Sequence, residues 1–168
     1  MNFEVYSDGS ATTADKPGGF AFVIVRDGVK LSEGSGHLPK ATNNVAEITA
    51  AIRGLETLLN SAEYAAACVS HPNGANVVLV SDSQLVLNYA NGGYQCRKPH
   101  LLPLYIALRK NYQLAKATTR WVRGHTGDEH NERCDVLAGV ARCQQPAHKD
   151  NQVSANPAES IEEPGNTT

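Results

Sequence analysis

No run of about 18 apolar residues occurs in this 168-residue chain, so no segment reads as a membrane-spanning helix. The N-terminus MNFEVYSDGS carries neither a basic stretch nor an apolar core, so no secretory signal is expected. Cys68, Cys96, Cys134 and Cys143 show no CxxC pairing and no dense disulfide spacing. That excludes a zinc ribbon and a disulfide-stapled scaffold, and suits reduced thiols in the cytoplasm. There is no internal repeat. From Ser83 to Gly127 there is no Asp or Glu. That span holds Arg97, Lys98, Arg109, Lys110, Lys116, Arg120 and Arg123, so it forms a basic segment suited to a polyanion.

What is present fits one globular domain. The length supports a real core, and 41% of residues are apolar. Residues 144–168 hold four acids, one Lys and almost no large apolar side chain. They cannot bury enough surface to offset ordering, so a disordered tail is expected there and a folded domain over 1–143. The net charge is −2 with the tail and +1 without it.

Strand patterns come first. NFEVYSD alternates with period two, and GGFAFVIVRDGVKLSEGSGHL reads as a hairpin turning at Asp27-Gly28. TNNVAEITAAIRGLETLLN opens with cap candidates Thr42 and Asn43. It places Val45, Ile48, Ile52, Leu55 and Leu59 on one helical stripe. ANVVLVSD is an apolar run ending in an acid, as a buried central strand would. SQLVLNYA and HLLPLYIALRKNYQLAK read as helices, with Pro103 tolerable only in a first turn. TTRWVR is a strand, in which Trp121 is expected in the core, and HNERCDVLAGVARC is a helix. The resulting order β-β-β-α-β-α-α-β-α predicts an α/β fold with a mixed sheet and helices packed on it. ETLLNSAEYAAACVSHPNGANVV is read as an extended helix and loop insertion away from the chemistry.

Asp8 and Asp82 end two strands, while Glu47 and Asp135 lie in the first turns of two helices. Strand ends at one sheet edge converge in a crevice. Carboxylates that close repel one another unless a hard divalent cation is present, and oxygen ligands suit Mg²⁺ or Mn²⁺. Two such ions about 3.5–4 Å apart are the usual apparatus of in-line phosphoryl transfer.

YSDGS, TNNVAE, VSDSQ and WVRGHTGDEHNERCDVLA resemble, in order, the four motifs of type 1 ribonuclease H. The resemblance covers 1–143 and is most specific in the last motif. It implies a ribonuclease H-like fold, a five-stranded mixed sheet flanked by helices. It also implies an endonuclease that hydrolyses the RNA strand of RNA–DNA hybrids with two Mg²⁺ ions, Mn²⁺ substituting. The products would carry 3′-hydroxyl and 5′-phosphate ends. By resemblance Asp8, Glu47, Asp82 and Asp135 match the metal ligands. His125, between Gly124 and Gly127, matches a mobile histidine of proton transfer or product release. Glu132 is expected as an outer group and Asp128 and Glu129 as helix-start acids. The minor-groove contacts implied are Asn43, Asn44, Gln84, Ser10 and backbone from Gly9 to Ala11. The 2′-hydroxyl there separates RNA from DNA. Lys40 and Thr42 align with a phosphate pocket. The chain departs from many cellular members between the Asp82 helix and the last strand. There the basic protrusion is short, with Arg97 and Lys98 and no Trp. The remaining histidines are expected at the surface.

The competing readings are a non-catalytic hybrid-binding module, which a broken acid set would indicate, and a DNA nuclease or integrase-like enzyme on the same fold. A third is the nuclease part of a reverse transcriptase. Met1 directly before the first strand favours a free-standing enzyme, and a monomer without a membrane partner is expected.

Overall fold

The computed structural model describes residues 1–71 and 73–144, so most of the tail expected at 144–168 lies outside the described residues. The three opening strands are β1 (Asn2–Ser10), β2 (Gly18–Arg26) and β3 (Val29–Leu38). They pair antiparallel, with a register shift at Ile24/Val25. The β2–β3 hairpin turns where expected. Asp27 and Gly28 both have positive φ, 47° and 83°, which is the two-residue turn matched to strand twist.

Next come α1 (Asn43–Leu59), α2 (Ala62–Ser70), β4 (Asn76–Ser81), α3 (Gln84–Asn91), α4 (Leu102–Leu114), β5 (Thr118–Trp121) and α5 (Glu129–Cys143). The sheet order is β3-β2-β1-β4-β5, with β4 parallel to both β1 and β5. The mixed five-stranded sheet is as expected. There is one helix more than the sequence order allows. Leu59 does not lead into a single extended helix, because Asn60 ends α1 and Ser61 starts α2, its side chain accepting from the Tyr64 N–H at 3.2 Å.

Two cores lie on the two sheet faces. Phe3, Val5, Ile24 and Leu79 meet Ile48, Leu55 and Leu58 of α1 and Leu108 of α4 on one face. Tyr6, Val23, Val25 and Val80 meet Cys134 and Ala138 of α5 on the other. The alternation of β1, with Phe3 and Val5 facing α1 and Tyr6 facing α5, follows from the strand's period of two. Fully burying side chains of this size stabilises by about 1.5–3 kcal/mol each, which holds the central strands in place beneath the site. Among the described residues no helix is long and apolar enough to cross a membrane.

Candidate active site

The parallel pair β1 and β4 builds the site. Tyr6 is level with Val80; Asp8 lies two residues further along β1, not at its end as the sequence suggested, and Asp82 directly follows the last residue of β4. Glu47 comes from the other face. Gly9 lets β1 lie directly on the first turn of α1, since a β-carbon there would stand 2.3 Å from the Glu47 nitrogen and 2.5 Å from the Ala46 carbonyl carbon. The α1 turn is held by Thr42, whose hydroxyl accepts from the Val45 N–H at 3.3 Å. Asp8, Glu47 and Asp82 then offer ligand oxygens that lie within 4.8 Å of one another.

The electrostatics follow from this packing. Asp8 is buried, and burial, with Asp82 next and Asp135 and Glu47 behind it, pushes its carboxyl up to about 7. The Gly9 N–H, donating to Asp8 Oδ1 at 2.7 Å, opposes that rise. Glu47 is likewise raised by burial and by Asp82, against the polar side chains of Ser83 and Asn43. Asn43 Nδ2 donates to Glu47 Oε1 at 2.7 Å. Such a crowded all-oxygen donor set is what a hard divalent cation neutralises. The residues present therefore fit the metal that the sequence implies.

Asp135 stands outside that set of three. Its side chain is 46% exposed, and its Oδ2 is 3.8 Å from His125 Nδ1. His125 is 81% exposed and has a left-handed φ of 57°. Its loop is anchored at both ends. Gly124 lies against Asp82, and the Gly127 N–H donates to Glu132 Oε1 at 3.0 Å. Thr126 Oγ1 also donates to the Arg123 carbonyl at 2.6 Å. Asp128 is a helix-start acid as expected, capping α5 by accepting from the Asn131 N–H at 3.0 Å. Glu129 lies in the first turn.

The substrate candidates divide. Gly9, Ser10 and Asn44 are half-buried near the acids, and Gln84 is exposed at the start of α3. Asn43 spends its amide on Glu47. Lys40, Arg97 and Lys98 are exposed, the last two in the loop between α3 and α4. Two other cations of the acid-free stretch are occupied. Arg109 donates to the Ala90 carbonyl at 2.8 Å, and Arg120 pairs with Glu4 at 2.7 Å.

One expectation fails. Trp121 is not in the core but 49% exposed, with its indole N–H donating to the Asp82 carbonyl at 3.0 Å. β5 is an edge strand, and the described elements leave about half of the side chain at its end uncovered. Sequence reasoning also missed Ser83, which caps α3 and whose side chain opposes the rise of the Glu47 carboxyl. The signal was there in a serine placed directly before a helical pattern.

A family model described as RNase H matches residues 1–142. The chain belongs to the ribonuclease H family. A ribonuclease H of Syntrophus aciditrophicus is 34% identical over 152 residues, covering 82% of this chain and 78% of the relative. One of Desulforamulus reducens is 36% identical over 154 residues, covering 84% and 87%. Among solved structures, RNase H1 of the halophilic archaeon Halobacterium salinarum has a TM-score of 0.65 at 29% identity, covering 84% and 97% of the two chains. LC11-RNase H1 in complex with RNA/DNA hybrid has a TM-score of 0.68 at 26% identity, covering 83% and 96%. The five-stranded mixed sheet described above is thus the fold of these solved structures, as the motif resemblance implied.

Proposed function

We propose that this chain is an endoribonuclease that hydrolyses the RNA strand of RNA–DNA hybrids with divalent metal ions, leaving 3′-hydroxyl and 5′-phosphate ends. The observation that carries the reading is the convergence of Asp8, Glu47 and Asp82 from three different elements within 4.8 Å. Family membership and the hybrid complex of LC11-RNase H1 support the substrate class.

Asp8, Glu47 and Asp82 would hold Mg²⁺, with Asp135 reaching in from α5 and Mn²⁺ able to substitute. A bound pair of ions supplies neutralisation of the attacking and leaving oxygens at the scissile phosphate. The chain's own groups do the positioning. Asn43 orients Glu47, and the Gly9 N–H orients Asp8. His125, on its tethered loop beside Asp135, exchanges a proton with the reacting phosphate or its product. Asn44, Gln84, Ser10 and the Gly9–Ala11 backbone read the 2′-hydroxyl, since amides both donate and accept. Lys40 and Thr42 hold a phosphate of the DNA strand, and Arg97 and Lys98 extend the contact. The protein acts as a monomer in the cytoplasm, the compartment that suits its free cysteines.

The test is a labelled RNA–DNA hybrid beside an RNA duplex and a DNA duplex, each with Mg²⁺, Mn²⁺ or EDTA. Cleavage confined to the RNA of the hybrid and abolished by EDTA is expected. Equal cutting of the DNA duplex would indicate a DNA nuclease. Binding of hybrid with no cleavage in either metal would indicate the non-catalytic module.

A further inference from the structure

The chain contains a single tryptophan, and it stands half exposed at the last position of β5. The fold explains which way it faces. Arg120 points to the α5 side, where it pairs with Glu4 and donates to the Tyr6 hydroxyl at 3.0 Å. By strand alternation Thr119 and Trp121 face the α3 side. Asn91 of α3 accordingly donates to Thr119 Oγ1 at 3.4 Å. But α3 is only eight residues long and ends before the Gly92-Gly93 turn.

The indole is fixed as well as exposed. Its N–H is committed to the main-chain carbonyl of Asp82, one of the three converging acids. Gln84 is exposed at the start of α3, and Arg123 follows two residues after the tryptophan. A rigid, exposed aromatic ring costs little entropy to use as a contact, and every nucleobase has a face that stacks on one.

We propose that Trp121 is a substrate-contacting residue, its ring stacking on a nucleoside of the bound hybrid while its N–H positions the Asp82 backbone. This rests on the proposed hydrolysis of RNA–DNA hybrids. A purely structural tryptophan would serve only the hydrogen bond, and the two roles separate experimentally. Trp121→Phe keeps a ring and loses the N–H, whereas Trp121→Leu loses both.

Because Trp121 is the sole tryptophan, the emission of the full chain reports on it directly. The experiment titrates the parent protein with a fluorescein-labelled 12-base-pair hybrid in Ca²⁺. Binding is followed by anisotropy, and Trp121 by its emission and acrylamide quenching with an unlabelled hybrid. Steady-state cleavage in Mg²⁺ then compares the two variants. Binding is expected to quench Trp121 and shield it from acrylamide. The KM of Trp121→Leu should rise about tenfold, the scale of one base on one ring, while that of Trp121→Phe stays within about threefold. Half-saturation in Mg²⁺ should rise for both variants, because both release the Asp82 carbonyl. Binding with unchanged emission and acrylamide access overturns the contact, and the parent protein alone decides this if Trp121→Leu fails to fold. A KM for a folded Trp121→Leu equal to the parent's also overturns it. If the parent neither binds nor cuts hybrid, the proposed function itself falls and takes the contact with it. Cleavage without a Trp121 response removes only the contact.

Discussion

Gly124 lies against Asp82 so closely that a β-carbon on the glycine would stand 2.7 Å from Asp82 Oδ2. The His125 loop and the Asp82 carboxylate are therefore packed directly against each other. Gly124→Ala must displace the loop, the carboxylate or both. We expect hybrid cleavage to fall at least roughly tenfold, as misplacement of about 1 Å near a reacting centre does. Melting temperature should change little, because no core residue moves. Parallel kinetics and thermal melts check this. Full activity in Gly124→Ala would show that the loop adjusts freely.

Asp8 predicts a pH dependence of the metal-free protein. Its carboxyl titrates at about 7 in the fold, against about 3.9 for a free Asp, so the folded state binds this proton more tightly. Its contribution to stability is full below about 4 and declines as pH rises toward 7. Asp8→Asn removes the decline, so the variant should be more stable than the parent at pH 8 in EDTA by on the order of 1–3 kcal/mol. The two should converge near pH 4. Urea melts at several pH values measure the difference, and a constant gap would contradict it. The same variant should lose hybrid cleavage.

Glu33 behaves in the opposite sense. On β3 it accepts from Arg133 of α5 through two hydrogen bonds, 3.1 and 2.7 Å, and from Lys30 at 3.1 Å. These hydrogen bonds, Arg133's first, hold its carboxyl down to about 2. The stability it contributes is present above the ordinary carboxylate range and is lost as pH falls through about 2. The pair is exposed and screened by salt, so Arg133→Met should lower the melting temperature only slightly at low salt. In 1 M KCl the gap should close. A large drop that survives high salt would mean that Arg133 acts through packing.

Substrate affinity should depend on few cations. Arg109 and Arg120 are held within the fold, so Arg97, Lys98, Lys110, Lys116, Arg123 and Lys40 carry what remains. A salt series of hybrid binding in Ca²⁺ should correspond to roughly three to five neutralised phosphates. Changing Arg97 and Lys98 together to Ala should raise KM and lower turnover much less, because uniform binding is lost. Loss of turnover at unchanged KM would place these residues in the chemistry.

Whatever depends on near neighbours can be read from the order of the residues. Asp27-Gly28 must turn, because a two-residue hairpin demands positive φ at both positions. Thr42 and Asn43 are both cap candidates for α1, and it is the Thr42 hydroxyl that reaches the N–H three residues on. Strand alternation and the ending of two runs in Asp8 and Asp82 make a meeting of acids legible in the residue pattern. Missing Ser61 as a second cap, and so α2, was a failure of the same local kind. The packing of the elements settled what depends on distant backbone. It placed Glu47 beside Asp8 through the bare Gly9 and left Asp135 facing His125 outside the three-acid cluster. It committed Arg109 and Arg120 to partners 19 and 116 residues away. It also left Trp121 half uncovered, because an apolar pattern records a preference for burial, whereas the cover must come from another element, and among the described residues none covers it fully at the edge of the sheet.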